Sequence, residues 1–286
     1  MSSENSNKFD IKAFAIDLRG DIDQNRVRLP TLPAISLEAL LVVNDADSSM
    51  ADVARIVSKD TAMAARLVRY ANSPLYQGVT TVSSVKGAIT RIGFDAVKHA
   101  ILSLAMKDVF STAFKSIRDR METLWKHSVS VATKSAVLTG HFHHLNRDEA
   151  MLAGLIHDVG VIPILLKAKN YEVLLEKEIY LDKVIDLLHM STGKFMLSQW
   201  NFDPVMVEVA GNSDRLDHGQ EASEVDYLDI IQVANILSYE GSHQQYGKLA
   251  MEDVPAARKI GLELISRVQS DMEGSDEEEA LRIMLH

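Results

Sequence analysis

The run from Ala153 to Leu166, AGLIHDVGVIPILL, constrains the fold of this chain more than any other stretch. A segment this apolar has to be buried. Burying the adjacent His157 and Asp158 with it is costly unless the pair is hydrogen-bonded, metal-bound or turned into a cavity. The chain must therefore enclose the run and still give the pair something to hold. His157 and Asp158 are the first place to look for chemistry, with Asp158 as the candidate catalytic group.

Elsewhere apolar residues recur at helical spacing and alternating strand patterns are absent, so the expected fold class is all-α. Short helices are expected over Pro33–Val43, with Ile35, Leu37, Leu40 and Leu41 on the apolar side, and near Ala51–Ser58. A third runs from a cap at Asp60 or Thr61 to the stop Asn72-Ser73-Pro74. Ser83 or Ser84 caps the next, Gly93 ends it, and Asp95 restarts the chain toward Phe110. A polar hinge around STAFKSIRDR divides an N-terminal lobe, residues 1–115, from a C-terminal lobe, residues 116–286.

The second lobe opens with a long amphipathic helix from about Met121 to Thr139 that carries His127. Asn146-x-x-Glu149 reads as a capping box for the helix that ends at His157 and Asp158, with Gly160 as its stop. Asp182 caps a helix through Trp200 that includes His189, and Asp203-Pro204 starts another. Ser223 opens a helix whose buried side adjoins Asn235, and Glu277 to Glu279 form the acidic first turn of a last one. Both chain ends read as loose.

Composition excludes several function classes. The chain carries 40 acidic against 30 basic residues, a net charge of −10. With no basic stripe of interleaved aromatics, neither nucleic acid nor an anionic membrane is an expected partner. The absence of cysteine rules out disulfides, thiolate zinc sites and thiol nucleophiles, and fits a reducing compartment. The N-terminus lacks the apolar core of a signal peptide, and no stretch is expected to reach the roughly 18 apolar residues of a membrane span. The expectation is a soluble, cytoplasmic protein.

The LPTLP opening, the ANSPLY turn and SSVKGAITRIGFDAVKHAIL resemble the HDOD family, the HD-related output domains of bacterial signalling proteins. The likeness continues through WKHS, AGLIHDVG, HMSTGKFMLSQWNFDP and DIIQVANILS, roughly Leu29 to Ser238. It implies an HD-domain-like multi-helical bundle with an N-terminal helical lobe. In the related HD phosphohydrolases two histidines and two aspartates hold a divalent metal that activates water against a phosphate ester or nucleotide. Carried over, those positions are His127, His157, Asp158 and, for the distal aspartate, Asn235, which keeps an oxygen but loses the charge.

Two departures accompany that asparagine. The lysine of the HDxGK pattern is replaced by Val161, and GNSDR, Gly211 to Arg215, has neither histidine of the second pair found in the HD-GYP branch. His189 matches the HxxxG segment of the next helix and is a possible fourth ligand. Each residue also has a plain structural reading: a satisfied polar pair at a helix end for His157 and Asp158, and an internal polar group for His189 and Asn235. Asn72, Ser73 and Tyr76 form a helix stop and turn, with partner binding as the functional alternative.

The resemblance thus implies a non-catalytic signal-transduction module that binds a signalling protein or a small ligand and needs no cofactor. The alternative is a metal-dependent phosphohydrolase of the HD superfamily that uses manganese, iron, nickel or magnesium.

Overall fold

A computed structural model describes residues 9–24, 32–43, 47–76, 78–217, 224–239 and 249–272, and the side chains of all of these except 23, 40, 43 and 95. The described residues form helices joined by turns and contain no strand, as the periodicity requires. The expected openings at Ser223 and at Glu277 to Glu279 lie outside the described residues.

Local caps set most helix starts. Asp10 accepts from the Ala13 amide at 3.0 Å and opens α1 (Ile11–Asp23), which corrects the expectation of a loose N-terminus. Then come α2 (Ala34–Val43), α3 (Met50–Val57), α4 (Thr61–Ala71), α5 (Val85–Ile92) and α6 (Phe94–Val109). Asp60 caps α4 and Ser84 caps α5 through their side-chain oxygens, the ordinary way of satisfying first-turn amides. Gly93, at φ 94°, ends α5 and begins α6 at Phe94, one residue before the expected restart. Leu37 and Leu41 are 45% and 74% exposed, so α2 turns outward part of the side expected to be buried.

The second half of the chain is built on α7 (Lys115–Thr139). Most of STAFKSIRDR is helix rather than hinge, because Ile117 and Met121 are buried one turn apart and continue the inward stripe of Leu124 and Val129. α7 packs along α8 (Arg147–Ile156) and α13 (Tyr227–Tyr239). A Cβ on Gly154 would stand 2.6 Å from Ala132 Cα, so only glycine lets α8 lie this close on α7. After α8 come α9 (Val161–Ala168), α10 (Glu172–Glu176), α11 (Glu178–Gln199) and α12 (Pro204–Asn212), and after α13 come α14 (Pro255–Ile260) and α15 (Leu262–Met272). Asp182 therefore lies inside α11 rather than capping it, and pairs with Arg120 at 2.8 Å.

The capping box of α8 is closed in an indirect way. Asn146 accepts from the Asp148 and Glu149 amides. Its own amide donates to the Tyr227 hydroxyl at 2.8 Å, which in turn donates to Glu149 at 2.7 Å. The box is thereby tied to α13. α6 lies on α8, and a buried carboxylate, Asp148, accepts from the hydroxyls of both Tyr70 and Tyr76. α1 lies against α9, where Lys167 bonds Asp17 and Asp21 and Phe14 meets the Tyr171 ring edge-on at 5.2 Å. Arg147–Ala168 is long and apolar enough to cross a membrane, contrary to the sequence expectation. It is 89% buried inside the fold and broken by the turn that bears His157 and Asp158.

Candidate metal centre

Five segments converge on the His–Asp pair. His127 projects from α7, His157 caps the C-terminus of α8 with Asp158 next to it, His189 lies on α11, Asn235 on α13, and Asp214 just beyond α12. The turn from α8 to α9 can approach α11 because of Gly160. Its φ of −66° is an ordinary helical value, so its role is not a left-handed turn. A Cβ there would meet the His189 carbonyl oxygen at 2.0 Å and the Gly193 amide at 2.4 Å, so the requirement is close backbone packing.

The structure brings three of the expected ligands together. His127 Nε2 lies 3.3 Å from His157 Nε2, His157 Nε2 lies 3.4 Å from Asp158 Oδ2, and His127 Nε2 lies 3.8 Å from that oxygen. A point equidistant from these three atoms is about 2.0 Å from each, the length of a metal–nitrogen or metal–oxygen bond. His157 Nδ1 bonds the Gly154 carbonyl at 2.7 Å and His189 Nδ1 the Ile185 carbonyl at 2.8 Å, which orients both rings with Nε2 inward. Asp158 Oδ1 is buried and has no hydrogen-bond donor among the described residues, so an ion is the natural complement of the group. Two imidazoles and a carboxylate suit a divalent transition ion with open positions.

His189 and Asn235 stand outside this triangle. His189 Nε2 is 3.8 Å from the other oxygen of Asp158 and 3.1 Å from Asp214 Oδ2. Asn235 donates to Asp214 Oδ1 at 2.9 Å. Asp214, which sequence reasoning missed, thus places a carboxylate next to the position where the charge was lost. Its signal was a carboxylate within GNSDR, the segment compared above only for a histidine pair.

The electrostatics follow from burial and from these neighbours. Burial, with the His157 ring beside it, lowers His127 to about 4. Burial opposes charging His157 as well, but the charge and hydrogen bond of Asp158 outweigh it and raise His157. Burial also opposes charging His189, and here Asp214 and Asp158 together raise it to about 9. Burial alone would raise Asp158, yet the surrounding imidazoles, His157 foremost, hold it below the usual carboxylate range. The site therefore carries charge without metal: a protonated His189 lies between two carboxylates.

A cavity of about 160 Å³ opens beside the cluster, lined by Arg120, His127, Asp158, Val161, Asp182 and Asp186 among others. Tyr239 stacks on the His127 ring at 4.4 Å. The Asn72 turn lies elsewhere, and its asparagine and tyrosine are bonded internally. The Asn72 side chain bonds the Val68 and Val82 carbonyls, the Val82 amide and Arg91. Ser73 is buried, and Tyr76 holds Asp148. Of the three surface histidines near the end of α7, His144 bonds the Val225 carbonyl at 2.8 Å.

The model of the HDOD domain matches residues 29–216, well over half of the chain. This chain belongs to the HDOD family. An uncharacterized protein of Treponema pallidum is 23% identical over 212 residues, which is 68% of this chain. The chain spans only 39% of that relative's length. A solved Shewanella amazonensis structure, named "Putative metal-dependent phosphohydrolase", superposes with a TM-score of 0.78 at 25% identity, covering 96% of this chain and 99% of the other. An HDOD domain protein from Geobacter sulfurreducens superposes at 0.66 with 20% identity, over 96% of this chain and 99% of that one. A Marinobacter aquaeolei protein named "Putative signal transduction protein" does so at 0.66 with 16% identity, over 98% and 67%. The last two likenesses establish the HDOD fold alone.

Proposed function

We propose that this HDOD chain is a regulatory module that acts by binding a signalling protein or a small ligand, and that its HD-type cluster is a cation-holding remnant without hydrolase activity. The observation that carries the reading is the lining of the 160 Å³ cavity, where Asp158, Asp182 and Asp186 face one cation, Arg120. That guanidinium is already held by Asp182 at 2.8 Å and lies 3.8 Å from Glu178. A phosphate ester brings further negative charge, and a divalent ion at the cluster would only balance the carboxylates of this lining, which offers no other free cation to hold it. The position that supplies a phosphate-holding lysine in HD hydrolases is Val161, 5% exposed.

His127, His157 and Asp158 are the residues that would hold a divalent ion. When bound, such an ion supplies a Lewis acid and a water of lowered pKa. The chain's own groups serve to orient: the Gly154 and Ile185 carbonyls fix the His157 and His189 rings, and Asp214 anchors His189 and Asn235. The second reading, a metal-dependent phosphohydrolase, is favoured by the ligand spacing and by the name of the Shewanella protein.

The test is elemental analysis of untagged protein purified without chelators, followed by assay of the metal-loaded protein on p-nitrophenyl phosphate, bis-p-nitrophenyl phosphate and nucleotides. The expected result is bound metal that is lost in His157→Ala, with no turnover above that variant. Turnover by the wild type that disappears in His157→Ala would establish the second reading instead.

A further inference from the structure

A second cavity, of about 450 Å³, lies in the elbow where α6 ends and α7 begins. Its floor is Phe110, Met121 and Trp125, each buried over most of its surface. Its rim is polar, with Lys107, Thr112, Arg118, Glu122 and Lys126. The size falls in the ordinary range for small-molecule sites, about 300–1,000 Å³. α7 gives Leu124 and His127 to the HD cavity and Trp125 and Lys126 to this one, so a single helix borders both.

The charges of the rim do not cancel. Arg118, Glu122 and Lys126 stand four residues apart on one exposed face of α7. Glu122 closes an ion pair with neither neighbour, and Arg118 and Lys126 have no other carboxylate partner among the described residues. With Lys107, the cations exceed the one carboxylate of the lining by two charges, in a chain whose net charge is −10. The HD cavity has the opposite balance, three carboxylates to one guanidinium that Asp182 already holds. Thr112 adds a neutral donor. Its oxygen accepts from the Phe114 amide at 3.2 Å, and its hydroxyl proton has no acceptor among the described residues.

We infer that this cavity is a binding site for a small phosphate monoester with an apolar, ring-sized body, its charged end on the cations of the rim and its body on the apolar floor. A monoester carries about −1.5 to −2 charge at pH 7, which matches the excess of the rim, whereas a simple carboxylate brings half of it. A guanidinium fork, ammonium groups and a hydroxyl are the donors that suit several phosphate oxygens at once. A neutral ligand would leave the cations unmatched, and inorganic phosphate would leave the floor uncovered. The site goes beyond the reading of the HD cluster, because it needs neither metal nor any residue of that cluster.

The test titrates 1-naphthyl phosphate into the metal-free full chain by calorimetry and ligand-detected saturation-transfer NMR, with 1-naphthol and inorganic phosphate as its two halves. The wild type is expected to bind the ester saturably with Kd on the order of 0.1 mM in dilute buffer, and more weakly as salt is added. Each half should bind at least about tenfold more weakly than the ester. Arg118→Gln with Lys126→Gln should weaken the ester by about tenfold or more, and Glu122→Gln should tighten it about two- to fivefold. His157→Ala should bind as the wild type does. Absence of saturable binding by the wild type, equal affinity for either half, or unchanged binding in the Arg118 and Lys126 variant overturns the inference. Loss of binding in His157→Ala overturns it too, by placing the phosphate at the HD cluster. The Glu122→Gln comparison stands even if the double variant fails to fold.

Discussion

Replacing Gly160 with alanine tests whether the HD turn is held by close backbone approach. The new Cβ would lie 2.0 Å from the His189 carbonyl oxygen and 2.4 Å from the Gly193 amide nitrogen. Ordinary contact begins near 3.4 Å, so α11 must withdraw by about 1.4 Å, and both obstacles are backbone atoms of a 22-residue helix. Overpacking of this kind costs about 3 kcal/mol, the upper end of the usual range, because no flexible side chain can give way. At about 2–4 °C per kcal/mol, the melting temperature should fall by about 6–12 °C.

Gly211→Ala is the control. The nearest atom there is the Lys194 Cδ at 3.0 Å, part of a mobile side chain, and the site lies within α12, where alanine is favoured by up to about 1 kcal/mol. That variant should melt at or above the wild-type temperature. Because the struck atom belongs to His189, the Gly160 variant should also bring the His189 titration down from about 9 toward its ordinary 6.5 in metal-free protein, read by NMR. A Gly160→Ala protein that melts within about 2 °C of the wild type would refute the close-approach reasoning.

Asp148→Ala leaves the Tyr70 and Tyr76 hydroxyls without their shared acceptor, and urea denaturation should show a loss of about 2–4 kcal/mol, with Asp148→Asn losing less. Lys259 and Asp229 form an ion pair 2% and 1% exposed, so Lys259→Met should cost about 3–5 kcal/mol, and Lys259→Met with Asp229→Leu should recover part of it in the same assay. His189 has its folded pKa raised from 6.5 to about 9, so its contribution to stability is fully present below pH 6.5 and is lost as pH rises through 9. The stability of metal-free protein, measured by denaturation across that window, should fall with rising pH in the wild type and flatten in His189→Gln. His127 has the opposite sign, lowered to about 4, so stability should fall as pH drops from 6.5 toward 4, and less so in His127→Gln.

What could be read without coordinates was local. Helical periodicity predicts the all-α class, and short-range caps mark helix starts at Asp60, Ser84 and Pro204, because each acts within one turn of itself. The motif resemblance points to His127, His157 and Asp158, since a metal site demands specific atoms at specific places on neighbouring helices. Everything that depends on which distant segment arrives opposite a residue was decided by tertiary structure. Gly160 matters because α11 lies on it, and Tyr76 serves an internal carboxylate because α8 crosses beneath its turn. Asp214 meets His189 and Asn235 across helices separated in sequence by 25 and 21 residues. Leu37 and Leu41 follow the helical stripe yet stay exposed, because the face they reach borders a cavity shared with α6, α8 and α12. Hydrophobic spacing specifies that a side has to be covered; only the packing of later helices against it determined how much of it was.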